Sequence, residues 1–170
     1  NNNVYCQDNE LSWVDWNLDD EGRELLAFVR RLIRLRHAYP ILRRRRFLVG
    51  EYNEELGVRD VIWLAPEGGE MCESFWHDPQ RRSLGMLMDG RAQPSGIRRS
   101  GGDATLLLLL NASHEGIDFY LPPVAQGGDW QLLLDTAEPA EGHGPFWEFD
   151  TPYPLGSRAV ALFTLRRSED

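Results

Sequence analysis

The chain has 170 residues, 42% hydrophobic and 26% charged, with a formal net charge of −9, which suits one soluble globular domain plus an appendage. The acidic balance argues against nucleic acid and anionic membrane as partners, since both are polyanions. No apolar run approaches the ~18 residues of a membrane-spanning helix, and no basic, then apolar, leader opens the chain.

The sequence starts at Asn1 without a Met, which points to a fragment, a processed form or a trimmed chain. All 18 basic residues are Arg. Arg43, Arg44, Arg45 and Arg46 form the one basic run. It reads as a solvated helix end complementing the helix dipole, with an anion site as the alternative. Cys6 and Cys72 stand far apart and have no metal-ligand spacing, so reduced cytosolic thiols are the simpler account. His37, His77, His114 and His143 are scattered, and no zinc pattern or cofactor motif is present.

Residues 1–18 are polar and then aromatic. Three successive Asn favour turns, and Trp13 and Trp16, three apart, suit one face of a helical turn. Residues 19–39 predict a helix. Leu25, Leu26, Val29, Leu32 and Ile33 recur at helical period. Acids lead the segment, and Arg34, Arg36 and His37 close it, in the order the macrodipole favours. Pro40 disfavours helix at Tyr39, and Ile41–Phe47 suggests a short second helix.

After Gly50 the apolar runs shorten to strand length between Gly- and Pro-rich turns. Val61–Ala65, Ser83–Met88, Thr105–Asn111, Ile117–Leu121, Trp130–Asp135, Phe146–Phe149 and Arg158–Leu165 read as seven strands. Such a series indicates an antiparallel sandwich or barrel. The expected division is therefore a loop and helix over residues 1–50 and a β domain over 51–170.

The string Asn1-Asn2-Asn3-Val4-Tyr5-Cys6-Gln7-Asp8-Asn9-Glu10-Leu11-Ser12-Trp13-Val14-Asp15-Trp16 resembles a segment of bacterial glycogen-debranching enzymes of the isoamylase type. In those α-amylase-type glycoside hydrolases the segment follows the last barrel strand. Leu32-Ile33-Arg34-Leu35-Arg36 is similar to the family's last barrel helix. Val61-Ile62-Trp63-Leu64, Trp76-His77-Asp78-Pro79, Arg82-Ser83-Leu84-Gly85 and Leu134-Asp135-Thr136-Ala137 resemble its C-terminal β domain. The resemblance implies the end of a truncated (β/α)₈ barrel followed by a C-terminal antiparallel β-sandwich. It also implies a cytoplasmic parent enzyme that hydrolyses α-1,6 linkages in glycogen or branched α-glucan.

Retaining glycosidases need two carboxyl groups about 5 Å apart. The resemblance places the family's carboxylates on earlier strands, so no catalytic residue carries over to this chain. Asp8, Glu10, Asp15, Asp19 and Asp20 are close in sequence, but proximity among 27 acids is cheap. The resemblance puts the opening string beside the catalytic mouth, which makes Tyr5, Asp8 and Asn9 the candidate substrate-binding residues. The alternative is that Asp8 and Asn9 brace the loop while Tyr5, Trp13 and Trp16 fill core. Asn111-Ala112-Ser113 fits a glycosylation pattern but reads better as a strand end. Trp130, Phe146, Trp147 and Tyr153 read as packing residues, with a sugar platform as the alternative. The leading reading is a non-catalytic C-terminal portion of a debranching hydrolase, and the runner-up is a glucan-binding accessory module. With its barrel partners missing, the helix over 19–39 is expected to self-associate through its apolar stripe.

Overall fold

The computed structural model describes residues 5–44, 47–54, 57–92, 104–125, 127–138 and 144–167. Their contacts divide into two units, Asn1–Leu35 and Arg36–Asp170. Asn1 to Val4, Arg45, Arg46 and His143, which entered the sequence reading, lie outside the described residues.

The first unit holds the opening loop and most of helix α1, Asp20–Ala38. Asp19 caps the helix by accepting the Gly22 N–H at 2.8 Å, which satisfies one of the donors left free in the first turn. The apolar stripe forms as the periodicity requires, yet α1 has no buried residue. Leu25 is 63% exposed and Ile33 is 53% exposed. Tyr5, Trp13 and Trp16, weighed as core residues of a longer enzyme, are all exposed in this chain, Tyr5 at 94%. A unit made of one loop and one helix has no second layer to bury them.

The second unit is mainly β and antiparallel. After a short 3₁₀ turn, Pro40–Arg43, come strands β1 Tyr52–Asn53, β2 Val58–Arg59 and β3 Val61–Leu64. Helix α2, Glu73–Trp76, precedes β4 Ser83–Asp89, β5 Thr105–Asn111, β6 Ile117–Tyr120 and β7 Gly127–Asp135. β8 Phe146–Trp147, β9 Pro152–Leu155 and β10 Ala159–Arg167 complete the described elements. Six strands form one sheet in the order β3-β4-β5-β10-β7-β8, while β1-β2 and β6-β9 pair separately. The seven expected strands are all present, the first, fourth and sixth shorter than the sequence suggests. β9 was not expected, because Pro152 and Pro154 break the usual strand pattern. They are tolerated because β9 pairs only with β6, and a proline fits an edge that needs no donor.

The five-leucine run of β5 lies between β4 and β10 in the middle of the sheet. Leu106, Leu107 and Leu109 are each fully buried, so both faces of this strand are covered. That is why the run is continuous instead of alternating. On one face Leu107, Leu109 and Phe163 meet Phe119, Leu121, Tyr153 and Leu155 from the small β6-β9 layer. Gly85 makes the approach possible: a Cβ there would lie 2.7 Å from the Phe119 ring. On the other face lies Thr164, adjacent in β10 to the core residue Phe163, and Tyr39 hydrogen-bonds to it.

Two polar ties hold the layers together. Asn111 donates to the carbonyls of Glu115 and Gly156, both at 2.8 Å, and its side-chain oxygen accepts from the Ser83 hydroxyl at 2.9 Å. The apparent glycosylation site is thus a buried strand end. The Tyr153 hydroxyl donates to the Asp135 carboxylate. A third buried group, Asp60, accepts from the backbone of Val49 and Gly50 and from Arg44. Arg44 is therefore a half-buried ion-pair partner of buried Asp60, which corrects its reading as part of a solvated basic run. Arg43 donates to the His37 carbonyl at the end of α1, as the dipole argument anticipates.

Burial, first, and the Asp135 hydrogen bond and charge push the Tyr153 hydroxyl well above its ordinary value of 10.0. The unfolded chain therefore releases this proton before the folded one does. Stability carried by Tyr153 is complete below pH 10.0 and falls as the pH rises above it. Denaturant titrations at about pH 8 and about pH 11 should show this loss in the native chain. Tyr153→Phe should start about 1–3 kcal/mol lower, having left Asp135 short of a donor, and lose less over the same interval. An equal alkaline loss in both proteins would assign it to other groups, Tyr39 first.

Candidate functional site

The opening loop folds on local hydrogen bonds. Tyr5 and Cys6 lie in the left-handed region, at φ 53° and 59°, a conformation uncommon for residues with a Cβ. Asn9 then closes an Asx turn, its side-chain oxygen accepting the Leu11 N–H at 3.1 Å. The Asn9 carbonyl takes the N–H of Ser12 at 2.9 Å and of Trp13 at 3.2 Å. Ser12 returns its hydroxyl to the Gln7 carbonyl at 2.8 Å, and the Trp13 indole donates to the Asp8 carboxylate. An open depression of about 420 Å³ results, lined by Asp8, Asn9, Glu10, Leu11 and Trp13.

This geometry separates the three candidate residues. Asp8 and Asn9 line the depression, and each already carries a bond that shapes the loop. Tyr5 does not line it but projects into solvent. The acids considered as an independent pair are largely engaged locally. Asp15 accepts the Asn17 N–H at 2.9 Å, Asp19 caps α1, and Asp20 pairs with Arg23 at 2.8 Å.

Elsewhere the chemistry is sparse. Among the described residues no three His, Cys, Asp or Glu side chains cluster as metal ligands would. The Cys72 thiol lies below its ordinary range because the Ser74 hydroxyl, first, and nearby backbone N–H groups favour the thiolate. Both cysteines are exposed and not joined in a disulfide. Arg81 holds the Glu67 carboxyl below its usual value through a two-pronged ion pair with N···O distances of 2.9 and 2.8 Å. Of the four aromatics weighed as a sugar platform, Trp130 is fully buried and Tyr153 is 5% exposed. Trp147 packs against the core, and only Phe146 is open.

Sequence reasoning missed a different aromatic pair. Trp63 of β3 and Trp76 of α2 meet edge to face, ring centroids 5.8 Å apart, and both are exposed. The sequence places Trp63 in the strand Val61–Ala65 and Trp76 within a resembling string, and gives neither a role of its own. The nearest signal was that β3 is apolar at all four positions, where a strand with one buried face would alternate.

Residues 60–168 match the family described as isoamylase, C-terminal. The chain belongs to that family. Among curated proteins, a glycogen operon protein GlgX homolog from Mycobacterium tuberculosis is 39% identical over 142 residues, covering 82% of this chain and 20% of that protein. A glycogen debranching enzyme from Cronobacter sakazakii is 43% identical over 133 residues, 78% of this chain and 16% of that protein. One from Pectobacterium atrosepticum is 35% identical over 144 residues, 84% of this chain and 18% of that protein. This isoamylase C-terminal domain and its preceding segment thus match a fifth or less of the length of these relatives. The mycobacterial match is longer than the family segment, so the likeness runs on into residues before Asp60.

Loop bracing and sugar contact make different demands on the opening segment. Asp8→Ala should free the Trp13 indole and loosen the loop, detectable as faster proteolysis between residues 5 and 17. Tyr5→Ala should leave proteolysis and melting unchanged, since Tyr5 is 94% exposed. In the longer enzyme Tyr5→Ala should lower kcat/KM for branched glucan by about tenfold, the equivalent of about 1.4 kcal/mol. Equal activity of Tyr5→Ala and the native enzyme would remove Tyr5 from the substrate surface.

Proposed function

We propose that this isoamylase C-terminal domain, with the loop and helix before it, closes a longer cytoplasmic hydrolase acting on α-1,6 branch linkages of glycogen and limit dextrins. The single observation behind this reading is the match to glycogen debranching enzymes several times longer than the chain. The chain's own part is non-catalytic. Asp8, Asp15, Asp19 and Asp20 serve local structure, and a retaining mechanism asks for two free carboxyl groups about 5 Å apart. Residues 1–50 are the remnant of the catalytic barrel, and residues 51–170 are the sandwich that supports it. Tyr5, Asp8 and Asn9 lie at the rim of the glucan site in the whole enzyme.

The longer enzyme should release reducing ends from limit dextrin, and the chain alone should release none from pullulan, glycogen or limit dextrin. Release by the purified chain that disappears on mutating one of its own acids would overturn the division of labour.

In the chain on its own, the stripe of Leu25, Leu26, Val29, Leu32 and Ile33 is open to water. Each such side chain gains roughly 1.5–3 kcal/mol on full burial. A second copy offers the same stripe, and two-fold pairing buries both at once. Sedimentation of the chain should therefore show a dimer that Leu25→Glu with Val29→Lys returns to monomer. A native chain that stays monomeric at high micromolar concentration would rule the pairing out.

A further inference from the structure

We propose that the Trp63–Trp76 pair is a glucan-holding surface site on the β unit, distinct from the opening loop. The inference rests on the reading that the longer enzyme works on glycogen. β3 is an edge strand of the six-stranded sheet, and the chain leaves it in an excursion, residues 65–82, before returning as β4. Trp63 stands on the strand and Trp76 on the excursion, 39% and 49% exposed, with their rings inclined at 80°.

The excursion is held from several sides. The Met71 N–H donates to the Trp63 carbonyl at 2.8 Å. Arg81 forks onto Glu67 and also lies 3.8 Å above the Phe75 ring, the residue before Trp76. An exposed indole so fixed keeps apolar surface in water at a continuing cost. The same unit buries Trp130 completely, so core size does not force Trp63 and Trp76 outward. Their display, pre-organised by the Arg81 contacts, fits a surface that something covers.

The surroundings select the ligand chemistry. Glu73 and Asp78 flank Trp76 in the chain and are exposed, while Glu67 and Glu70 are already paired with Arg81 and Arg59. Acids beside the indole disfavour an anionic ligand, and the cores of protein interfaces are depleted of acidic residues. Indole faces beside carboxylate acceptors suit a neutral polyol, whose C–H face lies on the ring while its hydroxyls donate to the acids. Steeply inclined rings do not match a flat, ribbon-like chain, which needs coplanar platforms. They match a chain whose successive sugars turn, as α-1,4-linked glucose does.

The test reads binding without hydrolysis. The full chain is run through native gels containing glycogen, and its tryptophan fluorescence is titrated with maltoheptaose; a β-1,4-linked oligosaccharide serves as the flat-chain control. Glycogen should retard the native chain. Trp63→Ala and Trp76→Ala should each weaken maltoheptaose binding by about fivefold or more with an unchanged melt, and Trp76→Tyr should retain most of it. The flat-chain control should not bind. A native chain that runs freely through glycogen overturns the proposal, as does retardation equal in both alanine variants. A native chain that runs freely, together with a Trp76→Ala change that lowers the melting temperature of the longer enzyme, identifies the pair as a seam between domains. Loss of hydrolysis by the longer enzyme bears on the proposed function alone, because retention by this chain is read separately.

Discussion

The β unit depends on how closely the small β6-β9 layer sits on the six-stranded sheet. Phe119 fills the space beside Gly85, where even a methyl group would lie 2.7 Å from its ring. Around that contact the buried side chains of both layers form one cluster. Interiors packed at this density respond to single methylene changes, so Gly85 and Phe119 constrain every neighbour. The polar ties follow from the same closeness. Asn111 and Asp135 come within bonding reach of Gly156 and Tyr153 only because the layers touch.

That arrangement also explains where the unit is free to do something else. The layer contact and the central strands β5 and β10 absorb the large leucines and four of the aromatics. The edge strand β3 reaches this cluster through Leu64 and Ile62, while the excursion that follows it is held by Arg81 and by backbone bonds. Rigid elements carrying exposed side chains at a sheet edge are suited to recognition, because ordering has been achieved before a ligand arrives. The opening loop is held differently, by hydrogen bonds among residues 7–13.

Much of the fold was legible in the sequence. The helix over 19–39 matches Asp20–Ala38 because its period, acidic start and Pro40 stop are all local. The seven strands were legible because turn residues bound short apolar runs. β9 was hidden by Pro152 and Pro154, whose tolerance depends on strand order, a tertiary property. Arg44 was misread because nothing local pairs it with Asp60, sixteen residues on. The exposure of Tyr5, Trp13 and Trp16 in this chain was not legible, because the size of an aromatic residue does not reveal whether a second layer exists to cover it.

The sequence by itself determined the long helix, the seven main strands and the family, since periodicity and motif strings are read over a few residues at a time. Only the tertiary structure decided which aromatics are core and which are displayed. Trp63, Trp76 and Trp130 are chemically identical, and only packing leaves the first two open and the third sealed. It likewise decided that Asp8 and Asn9 shape the loop they occupy while Tyr5 stands clear of it. The physical reason is that burial and hydrogen-bond partnership depend on what the rest of the chain brings near.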